Sequence, residues 1–379
     1  ITVGENLKPI VETTVVWDVV TPLYETKHDY RFGRGTWSWI LWQDGSINYD
    51  DQVRYIDFAA AMGYEYALID NWWDTNIGRE RMKSLVEYAR SKGVELFLWY
   101  SSSGYWNDIE QGPVNHMDNA IIRKREMKWL QGLGVKGIKV DFFGGDKQET
   151  MCLYEDILSD ADDHGLMVIF HGVNKPTGDS YTYPNLLAKE AVRGLECVGG
   201  ENSWAPGPPW PYHNTVLPFT RWLVGPADYT PMNFRAFCHP SVTFAHQLSS
   251  IYMFTSPMLI FAADMEDMLS SPGRSFIESV PVTWDETVVL PESEIGKLAA
   301  LARRKGDVWY LTVLNGEEPK MLDIKLDFLP KGKYKMEIAS DTPGNRKLIE
   351  VKDSKVRSGQ RLKEELMSGG GFVARISRY

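Results

Sequence analysis

From residue 35 onward the chain alternates short apolar runs with longer amphipathic stretches, and the two lengths separate strands from helices. Thr36–Trp42 is the first run. Asp51–Met62 follows, with Val53, Ile56 and Ala60 on one helical face and Gly63 as its stop. Tyr66–Ile69 reads as a strand and Arg79–Lys92 as a helix closed by Gly93. Val94–Tyr100 and Asn119–Leu133, closed by Gly134, repeat the unit, and Gly137–Phe143, Lys147–His164 and Leu166–Phe170 extend it. The sixth unit is less regular: the pattern predicts a helix near Leu186–Val192, a short strand near Leu195–Val198 and an irregular Pro-rich loop over Asn202–Tyr212. Thr215–Val224, Ala227–Met232, Val242–Phe254 and Met258–Ala262 complete the series.

These strands are apolar throughout rather than alternating, as strands covered on both faces must be. About eight of them, each followed by a helical stretch, predict an α/β fold of the (β/α)8 TIM-barrel type. An open doubly wound sheet is the alternative, but no GxGxxG joins a strand to a helix. After about Val280 the rhythm changes. Val308–Leu314, Met321–Leu326, Tyr334–Ala339, Lys347–Val351 and Phe372–Ser377 are short runs separated by turn residues, which predicts a C-terminal antiparallel β-sandwich. The expected organisation is a leading linker over 1–34 with one strand at Thr13–Val20, a barrel over 35–280 and the β-sandwich over 281–379.

Composition narrows the partners. Lys+Arg 41 against Asp+Glu 51 gives a net charge of −10, which argues against a nucleic-acid or anionic-membrane binder. No apolar run approaches the length of a membrane span. Ile1–Pro9 lacks the pattern of a signal peptide and the first residue is not Met, so the chain reads as a mature or excised piece. The three cysteines, Cys152, Cys197 and Cys238, are widely spaced and support neither a disulfide framework nor a zinc site. Aromatic residues make up 12%, and many close the apolar runs; most must be core, but at the mouth of a barrel they suit sugars.

In such a barrel the chemistry lies at the C-terminal ends of the strands. The polar and aromatic residues closing the runs are Trp37 and Trp39, Asp70 and Asn71, Trp99 and Tyr100, Lys139 and Asp141, His171, Glu196, Asp228 or Asn233, and Asp264. Carboxylates among indoles, without a Gly-rich anion cradle, suit glycoside hydrolysis, which needs two carboxyl groups across an oxocarbenium-like centre. In Gly-Ile-Lys-Val-Asp-Phe-Phe (137–143) alternation sends Lys139 and Asp141 to one face and Val140 and Phe142 to the other. The pair is either a buried structural ion pair or a nucleophilic carboxylate kept ionised by its neighbour. Asp70 is a hydroxyl-binding carboxylate or a helix cap; His171 is a site residue or a satisfied histidine. Two of Glu190, Glu196 and Glu201 are solvated surface carboxylates, or Glu190 and Glu196 converge on a hard cation.

At these positions the chain resembles glycoside hydrolase family 97. The resemblance rests on Arg-Gly-Thr-Trp-Ser-Trp (34–39), Ile-Asp-Asn-Trp-Trp (69–73), Leu-Trp-Tyr (98–100), Gly-Ile-Lys-Val-Asp-Phe (137–142), Phe-His-Gly (170–172) and Lys-Glu-Ala-Val-Arg-Gly-Leu-Glu (189–196). It implies a retaining exo-acting α-glycosidase, with an α-galactosidase as the leading assignment. The family's inverting α-glucosidases carry a glutamate base where this chain has Phe170-His171-Gly172-Val173; a non-catalytic carbohydrate-binding barrel is a further alternative. The resemblance implies Asp141 as nucleophile and Glu196 as acid/base, with Trp37, Asp70, Asn71, Trp99, Tyr100, Lys139 and His171 around an oligosaccharide or small α-galactoside. It also implies a calcium ion (Ca2+) on Glu190 and Glu196, a periplasmic or secreted bacterial protein, and an N-terminal β-sandwich domain that this sequence does not include.

Overall fold

The computed structural model describes residues 2–19, 21–22, 25–104, 108–198, 207–232, 234, 241–261 and 263–379. Asn233 and Glu201, two of the candidate polar residues, lie outside the described residues, as does part of the Pro-rich loop.

Among the described residues seven short strands pair in parallel: β1 (Gly33–Trp37), β2 (Tyr66–Ile69), β3 (Glu95–Ser101), β4 (Gly137–Asp141), β5 (Met167–Phe170), β6 (Leu186–Lys189) and β7 (Met258–Phe261). Their order, β6-β5-β4-β3-β2-β1-β7, curls them into a nearly closed TIM-type barrel. Helices α1 (Tyr49–Ala61), α2 (Arg79–Ser91), α3 (Ala120–Leu133) and α4 (Gln148–Asp163) return the chain between strands β1 to β5. Asn48 caps α1 by accepting from the Asp51 N–H, and Asn119 caps α3.

Period-two alternation divides each strand between two cores. Trp37, Tyr66, Leu68, Phe97, Met167, Ile169, Met258 and Ile260 form one cluster that fills the barrel. Their sequence neighbours, among them Ala67, Ile69, Leu96, Leu98, Ile138, Val168 and Phe170, belong to a larger cluster with the apolar stripes of the helices. Asp70, Trp99, Lys139, Asp141 and His171 share the parity of the inward set one step further along their strands, so they emerge above the apolar plug.

Four sequence expectations are corrected. Of the first run, Thr36–Trp42, only Thr36 and Trp37 belong to a strand, and Trp39–Trp42 is a helical turn. Thr13–Val20 is not a strand; Val15–Asp18 forms a single helical turn. In the sixth unit the order of helix and strand is reversed: Leu186–Lys189 is the strand, and Leu195–Val198 is a 3-10 turn. Leu, Ala and Lys favour helix locally, but pairing with β5, with Phe170 opposite Lys189, overrides that preference. Ala227–Met232 runs beside β6, where the Lys189 N–H donates to the Pro226 carbonyl at 3.2 Å, but it is no regular strand. Left-handed backbone at Thr230 (φ 49°) and Met232 (φ 64°) interrupts the extended conformation that a ladder requires.

Helix α5 (Phe244–Met253) joins the barrel to the C-terminal region. That region holds β8 (Glu286–Val289), β9 (Leu298–Lys305), β10 (Val308–Asn315), β11 (Lys320–Lys325), β12 (Lys333–Thr342), β13 (Asn345–Arg357), β14 (Arg361–Leu366) and β15 (Gly371–Arg378). Six of these form an antiparallel sheet ordered β13-β12-β15-β10-β9-β8, and β11 pairs with β14 in a second. Leu322, Ile324 and Leu366 from the small sheet pack on Leu311, Ile338 and Ile376 from the large one. No helix among the described residues is long and apolar enough to cross a membrane.

Candidate active site

The strand ends surround a pocket of about 410 Å³, lined by Trp37, Trp39, Asp70, Asn71, Trp99, Gln111, Lys139, Asp141, Phe142, Gly172, Glu190 and Glu196. Among the described residues two larger surface hollows occur elsewhere, and neither brings together inward-facing residues from this many strands.

On one side Asp70 and Lys139 form a buried ion pair, Oδ2 to Nζ 3.2 Å. Trp37 Nε1 donates to the same Oδ2 at 2.8 Å, and the Lys139 ammonium lies 3.9 Å from the centre of a Trp37 ring. Burial alone would depress the Lys139 pKa, but Asp70, Glu196, Asp141 and Asp228 outweigh it and hold the ammonium charged. Burial pushes Asp70 upward, and Lys139 opposes that shift. Thus the partner that Lys139 pairs with is Asp70, just past the end of β2, not Asp141 two residues along its own strand. Asp44 braces the same wall by accepting from Trp39 Nε1 and Asn71 Nδ2 at 2.7 and 2.9 Å.

Asp141 ends β4. Its Oδ2 accepts from Trp99 Nε1 at 3.2 Å and its Oδ1 from the Phe142 N–H at 2.7 Å. The strand stops there because Phe142 takes left-handed backbone, φ 65°. That turn brings Phe142 onto the pocket wall, where alternation alone would have sent it outward.

On the opposite side stand Glu190 and Glu196. Glu190 follows β6 and accepts from the Gly172 N–H at 2.9 Å. Glu196 lies on the 3-10 turn, which packs closely on the segment carrying Asp228. The Leu195 N–H donates to the Tyr229 carbonyl at 3.0 Å, and a Cβ on Gly194 would meet that carbonyl oxygen at 2.6 Å. Burial and the adjoining Glu190 carboxyl push Glu196 well above the usual carboxylate range. Glu190 is raised as well, chiefly by burial. Two buried carboxyl groups side by side resist being ionised together.

His171 lies beneath this pair. Its Nε2–H donates to Asp228 Oδ2 at 2.8 Å. Its buried Nδ1 has no hydrogen-bond partner and faces Glu196 Oε2 at 3.7 Å and Glu190 Oε2 at 3.8 Å. Donor atoms of His171, Glu190 and Glu196 all lie within 4.8 Å of one another. An orphaned nitrogen facing two carboxyl groups is a place for a proton or a cation, and the carboxylate oxygens suit a hard one.

Most of the sequence candidates converge on the pocket, but Tyr100 and Asp264 do not; Asp264 caps the helical turn Met265–Ser270 by accepting from the Glu266 N–H at 3.0 Å. Tyr100 is absent from the pocket: it is fully buried on the outer face of β3, and its OH donates to Glu126 at 2.8 Å. Trp99 and Tyr100 are adjacent on a strand and cannot share a face, a rule that the sequence already contained. Gln111, Phe142 and Gly172 escaped the sequence reading. Gln111 comes from the loop after β3, held where the Trp72 N–H donates to the Gly112 carbonyl at 2.7 Å; nothing in the local pattern announces it.

A barrel whose mouth sets paired carboxyl groups among indoles defines the glycoside hydrolase class of barrel. A family model described as Glycoside hydrolase 97 matches residues 33–192, and one described as Glycosyl-hydrolase 97 C-terminal, oligomerisation, matches residues 283–377. The chain belongs to glycoside hydrolase family 97. It is 29% identical to a retaining alpha-galactosidase of Bacteroides thetaiotaomicron, over 91% of this chain and 54% of that protein. A solved beta-arabinopyranosidase superposes with a TM-score of 0.90 at 55% identity, over 99% of this chain and 60% of that one. A family 97 enzyme from Pseudoalteromonas sp. strain K8, solved with acarbose, shares the fold at a TM-score of 0.83 and 23% identity, over 99% of this chain and 65% of that one. The chain thus spans about half the length of the curated relatives it matches.

Proposed function

We propose that the chain carries the catalytic barrel of a retaining, exo-acting α-glycosidase that removes terminal galactose-configured pyranosides by double displacement, an α-galactosidase in the first instance. The observation that carries this reading is the division of labour across the pocket. Asp141 is held at a strand end by donors on both oxygens, while burial and the adjoining Glu190 raise the pKa of Glu196 opposite. Phe170–Val173 offers no carboxylate for an inverting base. A pocket of about 410 Å³ suits one or two sugar units, in keeping with action at chain ends.

Asp141 attacks the anomeric carbon and Glu196 protonates the leaving oxygen; Glu196 then deprotonates water, which releases the sugar with its configuration retained. Asp70 and Lys139 grip hydroxyls through charge-assisted hydrogen bonds, and Trp37 and Trp39 offer apolar ring faces. Glu190 and Glu196 would hold Ca2+, with His171 Nδ1 beside them. When bound, the ion supplies positive charge that stabilises anionic oxygen near the reacting centre.

The 55% identical beta-arabinopyranosidase favours a second substrate. A β-L-arabinopyranoside has the ring configuration of an α-D-galactopyranoside without the exocyclic hydroxymethyl, so one pocket can serve both and differ only in what meets C5. The test is the ratio of kcat/KM on 4-nitrophenyl α-D-galactopyranoside, β-L-arabinopyranoside and α-D-glucopyranoside, with proton NMR of the first anomer released. Retention on either galactose-configured substrate is expected; inversion, or preference for the glucoside, would overturn the reading.

A further inference from the structure

The two oxygens of Asp141 occupy unlike settings. Oδ1 takes a short bond, 2.7 Å, from the main-chain N–H of Phe142, fixed in place by a left-handed residue. Gly172 closes over the same atom: a Cβ there would stand 3.0 Å from both Oδ1 and the Phe142 nitrogen. Oδ2 has a longer bond, 3.2 Å, from a side chain, Trp99 Nε1. The Trp99 ring is itself immobilised, 1% exposed and set edge-on to Phe142 with centroids 5.6 Å apart.

We infer that Oδ2 is the oxygen that bonds to the sugar, that Oδ1 stays on the main chain as the spectator, and that Trp99 is a positioning residue acting on the second displacement. The inference rests on the reading of Asp141 as the nucleophile. In the first step a lone pair of Oδ2 forms the bond to C1 as the glycosidic C1–O bond breaks. The departing electron pair stays on the leaving oxygen, which takes the proton of Glu196. In the second step a water oxygen bonds to C1, its proton passes to Glu196, and the C1–Oδ2 pair returns to Asp141.

An esterified Oδ2 is a poor acceptor, so the Trp99 N–H bonds well to the free carboxylate and weakly to the ester. It therefore stabilises Asp141 as the leaving group of the second step and does little to speed the first. The Phe142 N–H serves Oδ1 throughout, as carboxylate oxygen and as ester carbonyl.

The test compares the wild type with Trp99→Phe and with 3-benzothienylalanine at position 99, which keeps the indole shape and replaces its N–H by sulfur. The substrates are 4-nitrophenyl α-D-galactopyranoside and β-L-arabinopyranoside. The loss of a hydrogen bond to a charged group predicts a fall in kcat of about tenfold or more. KM should fall in parallel and kcat/KM should stay within about threefold, because kcat/KM reports only the first displacement. Rapid quenching and peptide mass spectrometry should find more glycosylated Asp141 at steady state than in the wild type. Equal falls in kcat and kcat/KM at constant KM, without accumulation, would reduce Trp99 to a packing role and overturn the inference. A wild-type glycosyl label on any residue other than Asp141 would instead overturn the nucleophile reading on which it rests. The isosteric variant keeps the question answerable where Trp99→Phe does not fold.

Discussion

Asp141 and Glu190 carry the sharpest expectations at the residue scale. Removal of the Asp141 side chain as Asp141→Gly leaves the Phe142 N–H and Trp99 N–H facing a small void. Azide should enter it and restore turnover of an activated α-substrate, giving the β-glycosyl azide; a variant that azide cannot revive, alongside an active wild type, would argue for another nucleophile. Retaining chemistry also needs the Asp141 and Glu196 carboxyl groups about 5–5.5 Å apart in the sugar complex, which a bound-inhibitor structure would measure. For the cation, Glu190→Gln should weaken calcium binding in isothermal titration calorimetry by at least tenfold, since it removes one of two carboxylates from the cluster that faces His171 Nδ1. Unchanged affinity would place calcium elsewhere.

At the scale of the element, β4 is the strand on which the site depends, and Gly137 shows how tightly it is set. A Cβ at Gly137 would lie 2.2 Å from Phe97 Cε1 and 2.7 Å from the Met167 carbonyl oxygen, so β3, β4 and β5 close on one another only because that atom is missing. Gly137→Ala should destabilise the fold by about 1–3 kcal/mol or more in urea denaturation and shift Lys139 and Asp141 together. A neutral substitution would mean that the barrel relaxes at this point. Strands β2 to β4 were legible because each is a short apolar run followed by an amphipathic helix with a glycine stop, and β5 because such a helix precedes it; β1 was read too far, into the helical turn Trp39–Trp42. Leu186–Lys189 was not legible: Leu-Leu-Ala-Lys has helical preference, and its strand character comes wholly from its neighbour β5. Glu196, read as closing a sixth strand, stands instead on a 3-10 turn that brings it to the pocket wall.

The whole molecule is tied together by α5. Its His246 is fully buried, with Nδ1–H donating to the Gly370 carbonyl at 3.0 Å and Nε2 accepting from Asn214 at 2.9 Å, so one imidazole links the barrel to the C-terminal sheet. Burial holds its pKa down to about 4, against 6.5 for a free histidine. Between those values the unfolded chain binds a proton that the folded one refuses, so this contribution is complete above pH 6.5 and is lost as pH falls toward 4. The full difference amounts to about 3 kcal/mol. His246→Gln should flatten the dependence of urea-unfolding free energy on pH in this window, relative to the wild type. Parallel pH profiles for the two proteins would show that His246 is not the group responsible.

The sequence by itself determined the α/β barrel followed by antiparallel sheets, because burial on one face or two writes a period into the chain that needs no partner to be read. It also determined the facing of residues within a strand, since parity along a strand is fixed by the backbone: Trp99 turns inward and Tyr100 outward. Only the tertiary structure decided who meets whom. Lys139 chose Asp70 across the barrel over Asp141 on its own strand; Gln111 arrived from a loop; Phe142 turned into the pocket through a left-handed bend; and Asp228 reached His171 from a segment that forms no strand. These contacts depend on distances between atoms far apart in the chain, and no local preference of a residue encodes them.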